Sequence, residues 1–260
     1  MIYISSFDLL PLWVLFIAML GLALLVVEVG YHVGRWYASE NDLDQYPMEK
    51  SANATVVGLL TFLLAFSFNS SAGHYGKVRS LLFKDRNLVM EIEQSARVLS
   101  QAEAAEVAGY IEEYASIRVN LLGRTDVEAF KQVVARSEMI QTRLLDVGIQ
   151  ARKETQDPTI AIYLNTVQAL TKNHHELINR IFAERLPRIA WLTLSGLGGM
   201  GCLLFGFSCG LMGRRRYLPA VIIIIAFSSV VLLIIDLDRP VHTLATDIRE
   251  TFQRQRDLPQ

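Results

Sequence analysis

Gly58-Leu59-Leu60-Thr61-Phe62-Leu63-Leu64-Ala65-Phe66-Ser67-Phe68-Asn69 lies in the middle of an uncharged segment, Ser51 to Gly73. That segment runs without an obvious break into a charged helical stretch ending near Arg97. As helix, the uncharged part is long enough to cross a bilayer core of about 30 Å, so it reads as a membrane crossing with polar ends. On a helical wheel Ala54, Gly58, Thr61, Ala65, Asn69, Ala72 and Gly76 recur at intervals of three or four, flanked by Leu59, Phe62, Leu63 and Phe66. Such a small, weakly polar face either packs closely against another helix or lines a narrow path.

Composition agrees with a divided chain. Of 260 residues, 52% are hydrophobic and 20% charged, with a mean hydropathy of +0.29. That is too apolar for an ordinary water-soluble domain and too charged to lie wholly in lipid. A formal net charge of -1 gives no basic surface for nucleic acid. Cys202 and Cys209 both fall in an apolar run and suggest neither a disulfide framework nor a metal site.

Taken outward from the quoted stretch, the chain offers three more crossings. Leu9 to Val27 is uncharged, has no basic residue before it, and reads as an uncleaved first membrane helix. Tyr31 to Lys50, with Asp42, Asp44, Pro47 and Glu49, reads as an exposed loop. Ile189 to Gly213 and Tyr217 to Ile235 make the third and fourth crossings, joined by the turn Arg214-Arg215-Arg216. Between the second and third crossings lies a charged, amphipathic region. Ser100 with Glu103 and Thr125 with Glu128 fit capping boxes, and Asp157-Pro158 marks a further helix start. Val107, Tyr110, Ile111, Tyr114, Ile117 and Leu121 keep helical spacing before Gly123. The expected fold is therefore an all-α integral membrane protein with four transmembrane helices and a cytoplasmic helical bundle. Its divisions are 1–76 (crossings one and two), 77–188 (bundle), 189–238 (crossings three and four) and 239–260 (cytoplasmic tail).

Four crossings put both termini and the bundle on one side. Lys77, Arg79, Lys84, Arg86, Arg180, Arg185, Arg188, Arg239 and Arg249 make that side cytoplasmic by the positive-inside rule, which places the protein in the inner membrane. The arginine triplet in a short outer turn argues the other way.

Few motifs carry chemistry. Gly196-Leu-Gly198-Gly-Met-Gly201 spells a dinucleotide fingerprint, but no strand precedes it and it lies inside a crossing. Ser195, Gly199, Cys202, Gly206, Gly210 and Gly213 instead form a seam of small residues on which a neighbouring helix can pack. His174-His175, among Lys172, Asn173 and Glu176, read as exposed histidines rather than metal ligands. Glu28 and His32 share a face at the outer end of the first crossing, a candidate ion or pH site; the alternative is an ordinary pair snorkelling at a helix end. Asp236 and Asp238 beside the exit of the fourth crossing are candidate cation-attracting groups, or Asp236 simply pairs with Arg239 before Pro240 ends the helix. No nucleophile elbow, Walker loop, zinc spacing or catalytic carboxylate pair is present, so neither catalysis nor a cofactor is expected.

In plan the chain resembles the bacterial bestrophin-like domain family. The residues that carry the resemblance are Gly58 to Phe68, then Tyr75, Arg79, Asp85-Arg86-Asn87, and Ile235-Asp236-Leu237-Asp238-Arg239-Pro240. It implies a pentameric channel with cytosolic termini, a second helix lining the pore, and a neck of apolar residues one turn apart. Phe62 and Phe66 match that spacing, as do Leu60, Leu64 and Phe68. Bestrophins carry an arginine and a tryptophan pair just after the neck; here Ser67, Asn69, Ser70 and His74 to Val78 stand instead, so the resemblance does not extend to anion selectivity.

The resulting expectation is a homo-oligomeric ion channel, in contact with membrane lipids and inorganic ions. Gly58, Phe62, Phe66 and Asn69 would line or gate the pore, and Lys77 and Arg79 would supply charge at its inner mouth. Two small-residue seams, on the second and third crossings, exceed what one four-helix unit needs for its own packing, which favours a ring. The alternative is a non-conducting scaffold or signalling protein whose bundle binds a partner. A transporter ranks below both, for want of an inverted repeat or broken helices.

Overall fold

The computed structural model describes residues 11–40, 47–121, 127–155, 157–183, 186–213 and 217–238. They form α1 (Leu12–Glu40), α2 (Pro47–Ser95), a short 3-10 turn (Ala96–Val98), α3 (Gln101–Leu121), α4 (Val127–Thr155), α5 (Ile160–Ala183), α6 (Arg188–Leu211) and α7 (Tyr217–Asp238). The protein is all helical among the described residues. Two compact units share the chain: one holds α1, α2 as far as Gly73, α6 and α7, and the other holds α2 from His74 together with α3, α4 and α5.

In the first unit four helices are long and apolar enough to cross a membrane, within Leu12–Glu40, Ala54–Val98, Ile189–Leu211 and Leu218–Asp238. The expected loop from Tyr31 does not begin there, because α1 continues as helix to Glu40. The reason lies in its packing on α6. Gly30 and Gly34 face Leu203 and Phe207, while Gly206 and Gly210 face Val27 and Tyr31; a Cβ at any of the four would collide with a backbone carbonyl of the other helix. Glycines on both sides let the backbones approach, and lipid supplies no hydrophobic drive that could replace that contact. Two of the six residues of the expected α6 seam, Gly206 and Gly210, are therefore consumed inside one chain, which weakens that seam as support for a ring. Gly213 leaves the seam altogether: at φ +63° it takes the left-handed conformation after α6, and its N–H bonds Gly210 O at 3.1 Å.

Trp13 and Trp36 lie 23 residues apart on α1, about 34 Å at 1.5 Å per residue, and both are exposed. That separation suits indole rings at the two faces of a hydrocarbon layer of about 30 Å. Trp191 lies near the start of α6.

In the second unit Val89, Ile92, Val107, Tyr114, Ile140, Leu144, Tyr163 and Val167 form one buried cluster. Val78, Leu81, Leu177 and Ile181 form a second. The first capping box is present: Ser100 N–H donates to Glu103 Oε2 at 2.8 Å, and Glu103 N–H to Ser100 Oγ at 3.4 Å. Asp157 accepts from Thr159 N–H at 2.8 Å and starts α5. The Thr125 to Glu128 box, the arginine triplet and the tail from Arg239 lie outside the described residues or side chains.

Candidate functional site

α2 is one helix of 49 residues with Pro47 at its first position, where a missing N–H costs nothing. Its two long sides have opposite surroundings. Ser67, Ser71, Val78, Leu81, Asp85, Leu88 and Ile92 are buried. Phe62, Phe66, Asn69, Gly73, Gly76, Ser80, Phe83 and Asn87, spaced alternately by four and three, are all exposed. Phe62 is 72% and Phe66 61% exposed. A Cβ at Gly58, Gly73 or Gly76 would meet nothing within 4 Å. This differs from the α1–α6 crossing, since nothing among the described residues fills the space beside these glycines.

The small-residue face read from sequence divides in the structure. Ala54 and Thr61, with Leu60 and Leu64, border a cavity of about 750 Å³ that α6 and α7 complete with Phe205 and Phe227. Gly58, Ala65, Asn69 and Gly76 are exposed. Beyond them Lys77 and Arg79 are exposed too, and the Arg79 guanidinium sits 5.5 Å from the centre of the Phe83 ring, a cation–π distance.

The other candidates have local partners. Glu28 and His32 approach to 3.3 Å across one turn, with His32 exposed and Glu28 half-buried. Asp238 is buried and accepts the Leu186 N–H at 3.0 Å, which ties the entry of α6 to the end of α7. Asp236 is half-buried; its expected partner Arg239 lies outside the described residues. Among the described residues no group of three His, Cys, Asp or Glu side chains is placed to hold a metal ion.

A buried polar network inside the bundle was not anticipated. Arg118 of α3 and Asp85 of α2, 3% and 1% exposed, form an ion pair at 3.3 Å through Nε. Arg118 Nη2 donates to Tyr114 Oη at 2.7 Å and to His174 Nδ1 at 2.6 Å. Tyr114 Oη lies 3.1 Å from Asp85 Oδ1, to which it donates. His174 is thus fully buried, which corrects the expectation that both histidines are exposed; His175 alone is exposed. Burial, then the neighbouring Arg118 charge, lowers the His174 pKa to about 3, so the ring is neutral. For Arg118 burial alone would lower the pKa, but the Asp85 charge outweighs it and the guanidinium stays ionised. Burial likewise raises the Tyr114 and Tyr163 phenols. Asn173 Nδ2 donates to Leu81 O at 3.0 Å, a second tie between α5 and α2.

Compared with known families, residues 15–242 match the bestrophin-like domain. The chain belongs to the bestrophin-like domain family. Similar solved structures are single-residue variants of a bacterial bestrophin homologue from Klebsiella pneumoniae. One has a TM-score of 0.66 at 17% identity, over 92% of this chain and 99% of that one. Another has a TM-score of 0.70 at 15% identity, over 93% and 99%. At such identities the likeness shows the fold: this bestrophin-like membrane protein has the bestrophin architecture over nearly its whole length. Curated proteins offer no match.

Proposed function

We propose that this bestrophin-like protein is a homo-oligomeric ion channel of the inner membrane. α2 of each protomer lines a central path, Phe62 and Phe66 form its neck, and both termini and the bundle are cytoplasmic. The observation that carries the reading is the exposed side of α2. Glycine offers lipid little apolar surface, and the Asn69 amide needs hydrogen-bond partners that hydrocarbon does not supply. Water in a central path supplies them. Two aromatic girdles one turn apart can close such a path by dewetting, and Lys77 and Arg79 would concentrate anions at the inner mouth. Membership of the family supports a pentamer.

The test is the double variant Phe62→Ala with Phe66→Ala, with ion flux into liposomes and oligomer size measured on one preparation. The channel reading expects higher leak conductance with assembly intact. If the two rings are instead packed dry against a neighbour, as a non-conducting scaffold requires, their loss costs about 3 to 5 kcal/mol each and the oligomer weakens. An assembled double variant that conducts no more than the parent excludes these two residues as the neck.

A further inference from the structure

Hydrogen-bond direction in the buried network fixes more than its members. Arg118 Nη2 has only protons to offer, so His174 Nδ1 at 2.6 Å is an acceptor and the ring proton sits on Nε2. Nε2 is buried and has no partner among the described residues. On α4, Ser137 Oγ and both polar atoms of Gln141 share that condition among the described residues. Ser137 and Gln141 are one turn apart on α4 and almost wholly inaccessible. Glu138 Oε1 reaches to 4.0 Å from His175 Nε2, so the next residues back along each helix, Ser137 and His174, lie at nearly the same level of the bundle.

From this we infer that the bundle core contains a hydration site between α4 and α5, in which water bridges His174 Nε2, Ser137 Oγ and the Gln141 side-chain amide. Water fits the inventory, because it accepts from His174 Nε2–H while donating to Gln141 Oε1 and Ser137 Oγ. Charge selects a neutral occupant. Asp85 already balances Arg118, and the three bridged side chains are uncharged, so a bound ion would stand without a counter-charge. A bundle of this size holds roughly four buried waters at ordinary frequency, so the site is not exceptional in kind.

The sign of a melting shift tests it, on the full-length protein in detergent. Gln141→Met keeps the volume and removes both polar atoms. If Gln141 bonds water, the variant breaks a satisfied network and its Tm falls by several degrees. Ser137→Ala also lowers Tm, and the two changes together lower it by less than the sum because they share an occupant. If the amide has no partner, Gln141→Met removes a buried penalty and Tm rises. An unchanged or raised Tm overturns the site. So does a high-resolution density map in which the Gln141 amide bonds His174 Nε2 or Ser137 Oγ directly, even where the Tm falls; a discrete peak within hydrogen-bond distance of all three supports it.

Discussion

Glycine stands in two settings in the membrane helices. At the crossing of α1 and α6, Gly30, Gly34, Gly206 and Gly210 press against carbonyls of the opposite backbone; along α2, Gly58, Gly73 and Gly76 border open space. The residue type and the spacing are alike, yet one set closes an interface inside the protomer and the other leaves a side of α2 uncovered. Small residues in a membrane helix therefore state that something approaches closely, or that room is kept. Only the partner helix decides which.

The largest effect should come from the closed side of α2, where a change leaves a charge without its partner. Asp85→Asn strands Arg118 in the core and should cost about 3 to 5 kcal/mol, whereas Lys84→Ala, next along the chain but exposed, should stay within about 0.5 kcal/mol. Thermal or chemical unfolding of the two variants gives both values, and similar costs would break the contrast between the sides.

The glycines offer a test of sign. Gly206→Ala drives a methyl group into the Val27 carbonyl and should destabilise by about 1 to 3 kcal/mol. Gly76→Ala meets nothing and should stabilise the helix by about 0.5 to 1 kcal/mol through lower backbone entropy in the unfolded chain. Equal shifts in melting temperature would mean that α2 is as tightly packed as α1 and α6.

A separate effect is a slope with pH. His174 stays neutral in the folded bundle down to about 3, while an unfolded histidine takes up a proton near 6.5. The unfolded state thus binds more protons between those values. The contribution is complete above pH 6.5 and is lost as pH falls toward 3, at up to about 1.4 kcal/mol per unit. Melting followed from pH 7.5 to 4.5 should slope downward, and His174→Asn, which keeps an acceptor for Arg118, should flatten it.

How much of this was legible in sequence follows from what each signal depends on. The four apolar runs and the helical spacing of the middle region are local properties, so the all-helical membrane fold could be read, and the quoted α2 stretch with its extension carried the family. The reach of α1 to Glu40 could not, because Tyr31 to Glu40 mixes aromatic, charged and small residues and its helix is held by α6. The buried network was readable in principle. His174 falls in step with Val167, Leu170, Leu177 and Ile181, Arg118 with Val107, Ile111 and Tyr114, and Asp85 with Val78, Leu81 and Leu88. Polar neighbours masked that register, and a charge on an apolar stripe is intelligible only once its counter-charge on another helix is known. For the α2 face, sequence supplied Phe62, Phe66 and Asn69 as neighbours on one side, but a monomer's residues do not say what faces them.

The placement of aromatic residues has a practical consequence. All three tryptophans, Trp13, Trp36 and Trp191, belong to the membrane unit, while the bundle has none and buries Tyr114 and Tyr163 in its core. Tryptophan emission is therefore an intrinsic reporter of one unit alone, and tyrosine near-ultraviolet dichroism includes the other. Following both signals during one denaturation would separate loosening of the bundle from loss of the membrane helices, without a label or a truncation.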